Sequence, residues 1–226
     1  MKVILIEPIS LINKEIKMAR RIKEEPLIHK SRIAEVAVNL FRKGGIENTS
    51  MDDIAKEAGY SKATLYVYFH NKNDIVNFIK LRSMEELGSA IIKKLNETDD
   101  YKKSFMELCF ELVHFQEEYP DYFDLVLQNI DVNVSKEDSP AFVNEIYESG
   151  EKINNAIGYF IKEGIKKGAL KPAGNIVVFI FQLWGMISGL IKLASEKEKY
   201  ILLSCNVSKK DFLTDGFEKI YSIIKS

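Results

Sequence analysis

The chain has 226 residues, 46% apolar and 29% charged, an ordinary soluble balance with ample material for a core. Its two cysteines, Cys109 and Cys205, lie far apart and match no metal or redox spacing, so they read as reduced thiols of a cytoplasmic protein. The net charge of −1 hides an asymmetry: residues 1–82 hold 15 Lys/Arg against 10 Asp/Glu (+5), and residues 83–226 hold 17 against 23 (−6), which suits a nucleic-acid-binding part joined to a ligand- or partner-binding part.

The N-terminal run "MKVILIEPISLI" is too short for a secretory signal and is interrupted by Glu7 and Pro8. Ser10 is placed to cap a helix through a basic stretch (Lys14, Lys17, Arg20, Arg21, Lys23), and residues 1–25 are read as a helical N-terminal extension. That stretch is either a solvated face or an arm for the minor groove. Pro26 suits the first turn of a new helix, in which Ile33, Val36, Ala37, Leu40 and Phe41 form an apolar stripe that Gly44-Gly45 ends. A short helix follows in "NTSMDDIAKEAG", where Ser50 and Asp53 have capping-box spacing. Ser61 is placed to cap the next helix, which should run to Phe69, and Asn71 to cap a long one through Ile75, Phe78, Leu87, Ile91 and Leu95.

Past that helix, "SFMELCFELVHFQEEYP" predicts a buried helix, Pro120 restarts the chain, and "DVNVSKEDSP" reads as a loop. A long helix is expected from Ala141 to Lys167, closed by Gly168. A strongly apolar one is expected from Asn175 to Glu196 and a last one from Ser208 onward; Lys199–Ser204 reads as a loop or helix end. The apolar run Ile176–Ile191 is shorter than the ~20 residues a bilayer needs and includes Gln182, so an oligomer interface is expected rather than a membrane span. The fold class reads as all-α, with an N-terminal helical domain over 26–82 and a larger helical domain over 83–226.

The stretch "AGYSKATLYVYFHNK" carries the function. Ala55 is small enough to let two helices cross, Gly59 supplies the unusual φ of a tight turn, and Ile54, Ala58 and Leu65 fill the wedge. This is a helix-turn-helix, whose second helix offers its first residues to the DNA major groove. Over "IAEVAVNLFRKGGIENTSMDDIAKEAGYSKATLYVYFHNKNDIVNFI", Ile33 to Ile79 and about a fifth of the chain, the sequence resembles the TetR family of transcriptional regulators. "YPDYFDLVL" and "LWGMISGLIKLA" are similar to the family's later helices.

The resemblance implies that Lys62, Ala63 and Thr64 approach base edges and that Tyr66, Tyr68 and Lys72 contact phosphates, with Ser50, Ser61 and Val67 completing the DNA-binding set. Val67 stands where many members have an aromatic or polar residue, and Asp52 where some have a basic one; Val67 suits a thymine methyl. Leu65 and Phe69 read as core, and Tyr60 as packing at the turn. Two half-sites require a homodimer. Gly185 and Gly189, spaced for close helix approach, and Phe217 and Tyr221 on the last helix are expected at a four-helix interface. Family members hold a mainly apolar ligand cavity, for which Phe110, His114, Phe123, Tyr159, Gln182 and Trp184 are candidates, with Gln128 a further polar contributor. His114 and Glu117 also have a metal-pair spacing without further ligands. No cofactor or metal is expected.

The expected function is a ligand-responsive repressor that binds a palindromic operator as a dimer. A small lipophilic effector would tilt the long helix and release the DNA. The alternatives are a helical DNA-binding factor without an inducer pocket, regulated by a partner, and a helical lipid carrier or enzyme with an incidental helix-turn-helix. The last would need a nucleophile–base spacing, a phosphate loop or a metal cluster, and the sequence holds none.

Overall fold

The computed structural model describes residues 25–96, 100–127 and 140–226, and the chain divides into two compact units at Lys72/Asn73. Residues 1–24 of the helical extension expected over 1–25, Gln128 and most of the "DVNVSKEDSP" loop lie outside the described residues.

The N-terminal unit packs helices α1 (Pro26–Gly44), α2 (Met51–Glu57) and α3 (Lys62–Tyr68) around one small core. Pro26 stands in the first turn of α1, where its missing N–H costs nothing, and Gly45 ends the helix with its N–H on the Phe41 carbonyl. Ile33, Ala37 and Phe41 of the predicted stripe are buried, while Val36 and Leu40 are half-buried. They meet Ile54 and Ala55 from α2 and Leu65 and Phe69 from α3 and its end, all at 6% exposure or less. Burying a Leu or Phe side chain contributes roughly 1.5–3 kcal/mol, so this short unit depends on each of them.

The C-terminal unit contains the long helix α4 (Lys72–Asn96), whose first residue closes the N-terminal unit. The expected junction lay near Arg82; the contacts divide ten residues earlier because the first turns of α4 pack within the C-terminal unit. There the Phe78 ring meets Phe142 edge-on at 5.3 Å, and the Asn77 amide donates to the Ala141 carbonyl. Next come α5 (Tyr101–Glu118), capped by Asp100, α6 (Pro120–Leu127) and α7 (Val143–Lys166). Then α8 (Ile176–Glu196) starts on the Asn175 cap, and α10 (Lys209–Ile224) on the Ser208 cap.

Helix α8 packs on α10, α7 and α5, and α10 returns onto α5, so Phe105, Leu112, Ile161, Ile191, Leu213 and Phe217 share one core. At Gly164 a side chain would not fit: a Cβ there would lie 2.6 Å from Leu170, which sits over it. Residues 199–204, expected as a loop or helix end, instead lie in a helix of their own, α9 (Glu198–Cys205), which Asn206 ends in the left-handed conformation. Among the described residues the only extended pairing is an isolated bridge between Leu170 and Lys225.

Candidate nucleic-acid interface

Sequence and geometry agree closely around α2 and α3. The Ser50 hydroxyl accepts from the Asp53 N–H at 3.2 Å, and the Asp53 carboxylate takes the Ser50 N–H at 3.0 Å, closing the expected capping box. Hydrogen bonds from the Ser50 side chain and backbone hold the Asp53 carboxyl below its ordinary value. Gly59 has φ +71°, the left-handed backbone that an L side chain resists, and it turns the chain into α3. There Ser61 caps the helix by accepting from the Thr64 N–H at 3.1 Å, while its hydroxyl lies 2.8 Å from that of Thr64.

With Leu65 and Phe69 buried inward, α3 presents Lys62, Ala63, Tyr66 and Val67 to solvent. Val67 is the most open of the large apolar residues described in this unit, at 76%. Thr64 is half-buried. The Lys62 ammonium makes an ion pair with Asp52 at 2.7 Å, and that carboxylate raises its pKa. Asp52, singled out in the sequence as a departure from a basic residue, thus ties the start of α3 to α2.

Two expected outward residues are engaged within the unit. Tyr68 is half-buried, its ring stacked on His29 of α1 at 5.0 Å and edge-on to Tyr60 at 6.4 Å. Lys72 is half-buried too, and its ammonium donates to the carbonyls of Ile46 and Glu47. Tyr60 packs at the turn, as expected. Its hydroxyl lies 2.7 Å from His29 Nδ1 and accepts from Arg32 at 3.2 Å. His29 and Arg32 are not legible from the apolar stripe of α1, which they flank; an aromatic residue directly after Gly59 was the available signal.

Residues 33–78 match the family model described as "Bacterial regulatory proteins, tetR family". Over this segment, about a fifth of the chain, the sequence is similar to TetR-family regulators. It is 24% identical over 155 residues to the biofilm operon icaADBC HTH-type negative transcriptional regulator IcaR of Staphylococcus aureus, an alignment covering 69% of this chain and 81% of that one. The TetR family regulator PfmR of Thermus thermophilus superposes with a TM-score of 0.57 at 27% identity, over 71% of this chain and 85% of its own. A protein of unknown function from Rhodococcus sp. RHA1 shares the fold, with a TM-score of 0.70 at 16% identity over 88% and 95% of the two chains. The matched segment coincides with the helix-turn-helix formed by α2 and α3.

The residues expected to form an effector pocket scatter. An apolar cavity of about 30 Å³ lies in the C-terminal unit, lined by residues that include Phe105, Leu112, Phe160, Ile161, Trp184 and Ile187. Of the described candidates only Trp184 reaches it, with its indole N–H on Asn154 at 3.2 Å. Phe110 packs on Phe217, and Phe123 is buried beside a separate polar groove. His114 is exposed, 3.3 Å from Glu118, while Glu117 pairs with Lys209 at 2.8 Å, so the His114–Glu117 spacing brings no pair together. Tyr159 and Gln182 face solvent.

Of the expected interface residues, Gly185 and Gly189 lie open on the outer face of α8. Phe217 and Tyr221 do not: they are buried within the chain, against Phe110 and Phe105. The stripe of α10 serves the core, because α5 lies across it.

Proposed function

We propose that this chain is a repressor that binds a palindromic operator as a homodimer and releases it when a small apolar molecule enters the C-terminal unit. The observation that carries the reading is the exposed face of α3, where Lys62, Ala63, Tyr66 and Val67 stand on a helix whose other face is core. Lys62 and Ala63 approach base edges, Tyr66 reaches a phosphate, and Val67 offers an apolar contact to a thymine methyl. Ser50, Ser61 and Thr64 set the backbone from which these residues project; Tyr68 and Lys72 brace it. Repression is supported by the likeness to IcaR, named a negative regulator.

Dimerisation is supported by α8. It is long and apolar enough to cross a membrane, yet little of it is buried in the chain. Its outer face carries Val177, Val178, Phe181 and Leu193 beside the open Gly185 and Gly189. A second copy of the same helix covers such a face and lets two backbones approach at the glycines. It also brings two recognition helices to two half-sites, which the operator's two-fold symmetry requires.

Release rests on the apolar cavity and on α4, which begins at the last residue of the DNA-binding unit. Within the C-terminal unit α4 crosses α7 closely: a Cβ on Gly88 would stand 3.0 Å from Ile153, and one on Gly150 would stand 3.3 Å from Met84. An effector that parts the helices around the cavity shifts α7, and α4 moves with it. A tenfold loss of DNA affinity needs about 1.4 kcal/mol of effector preference for the released state. The small size of the cavity favours a second reading, a DNA-binding regulator controlled by a partner rather than an effector.

Selection of bound sequences from random DNA, with and without extract of the host cell, tests the whole reading. A palindromic site lost in the presence of extract is expected. Recovery of no palindrome overturns the operator reading, and a site insensitive to every small-molecule fraction selects the partner-controlled alternative. In the same assay Lys62→Ala is expected to weaken binding and relax preference at one base pair per half-site by about 1–3 kcal/mol.

A further inference from the structure

Asp52 and Lys62 stand on different helices, and their charged ends meet twice. Lys62 Nζ lies 2.7 Å from one Asp52 carboxylate oxygen and 3.0 Å from the other. The two side chains are 62% and 61% exposed, so the pair adds little to stability. Each is nonetheless rooted in a fixed helix start. Asp52 lies in the first turn of α2, within the Ser50–Asp53 capping box, and Lys62 follows the Ser61 cap as the first residue of α3.

Pairing does not use these groups up. An ammonium has three N–H donors and an ionised carboxylate about four lone-pair sites. Two N–H groups at most engage the two oxygens, so Lys62 keeps a donor and each Asp52 oxygen keeps a lone pair. The pair therefore presents a donor and an acceptor side by side, 2.7–3.0 Å apart.

A G·C base pair shows the complementary pattern in the major groove. Guanine O6 accepts and cytosine N4–H donates, and these two atoms are themselves hydrogen-bonded at about 2.9 Å. Lys62 on O6 and Asp52 on N4 close a ring of four polar groups without changing their own spacing. Guanine N7, beside O6, gives the ammonium a second acceptor. An A·T pair fits less well, because a methyl group stands beside thymine O4 and adenine has a single acceptor beside its amino group.

The carboxylate discriminates by what it costs. It brings negative charge to a polyanion, which weakens binding to every sequence. That cost is smallest where a base amino group donates to it and largest where a base oxygen faces it.

We propose that Asp52 and Lys62 form one reading unit for a G·C pair in each half-site, with Lys62 on the guanine and Asp52 on the N4 amino group of its cytosine. This rests on the reading that α3 brings Lys62 to base edges, and it gives Asp52, ten positions earlier, a specificity-determining role at the same site.

Selection from random DNA with the full chain first locates the base pair whose preference Lys62→Ala relaxes; G·C is expected there. The recovered operator is then made with 2-pyrimidinone, a cytosine without its N4 amino group, at that position in one half-site. Affinities are read by fluorescence anisotropy. Wild-type protein is expected to bind the modified operator about tenfold more weakly than the unmodified one. Asp52→Ala is expected to bind the unmodified operator severalfold more tightly than wild type, and to bind the two DNAs within about twofold of each other. Any effect of the modification on the duplex itself is common to both proteins, so the difference between their losses isolates the Asp52 contact.

Another base pair at that position overturns the reading unit and leaves the operator reading intact. So does a wild-type protein indifferent to the missing amino group, or an Asp52→Ala protein as sensitive to it as wild type. Recovery of no palindrome, or of one with no position relaxed by Lys62→Ala, overturns both.

Discussion

At Lys62 one side chain has two claims on it. Its ammonium is exposed yet paired with Asp52, and in the proposed complex that pairing would compete with DNA for the same charge. Asp52→Ala frees the ammonium and removes a negative charge from the DNA-facing surface. Operator affinity is therefore expected to rise severalfold, and the dependence of log K on log salt to steepen by about one phosphate contact, read by fluorescence anisotropy over a salt series. A weaker complex would show that Asp52 positions Lys62 rather than restraining it. Val67, whose role is the least legible in the sequence, proves the most exposed large apolar residue among those described in the N-terminal unit. Val67→Ser is expected to leave thermal stability unchanged and to alter preference at a single base position.

At the scale of the element, α2 and α3 have seven residues each and too few internal hydrogen bonds to stand alone. Their end groups therefore weigh heavily. Ser50→Ala is expected to destabilise the protein by about 1 kcal/mol in chemical denaturation. Ser50 is also what lowers the Asp53 pKa from its ordinary 3.8. A carboxylate with a depressed folded-state pKa stabilises the fold above its unfolded value, and that contribution is lost as pH falls through the lowered one. Wild-type stability is accordingly expected to decline as pH is brought below about 4, and Ser50→Ala to decline less over the same range. Parallel curves would mean that Asp53 gains nothing from its cap.

At the scale of the molecule, the glycines separate fold from assembly. A Cβ at Gly185 meets nothing within 4 Å in the chain, so Gly185→Leu is expected to preserve the melting temperature and, for the homodimer proposed above, to convert dimer to monomer in sedimentation. Gly164→Ala is the converse: its Cβ would collide with Leu170 and Tyr101, so it should lower the melting temperature in any assembly state. A dimeric Gly185→Leu protein would place the interface away from the middle of α8.

Local patterns determined much of this protein without the fold. Apolar spacing gave α1, α4, α5, α7, α8 and α10 nearly to their ends, because a helix buries a stripe at its own period. Ser50, Ser61, Asn175 and Ser208 marked helix starts because a cap acts within three residues of itself. The helix-turn-helix was legible for the same reason: Ala55, Gly59 and Leu65 lie within eleven positions.

The tertiary structure alone decided which side of each residue is inside. Phe217 and Tyr221 carry the same stripe whether a partner chain or α5 covers it, and only packing shows that α5 does. Tyr68 and Tyr66 look alike in sequence, yet His29, 39 positions before Tyr68, takes one ring and leaves the other to solvent. Gln116 and Ser195, 79 residues apart, form a hydrogen bond only where α5 and α8 meet. Short-range order is written in spacing; a site assembled from distant segments exists only once the chain has closed on itself.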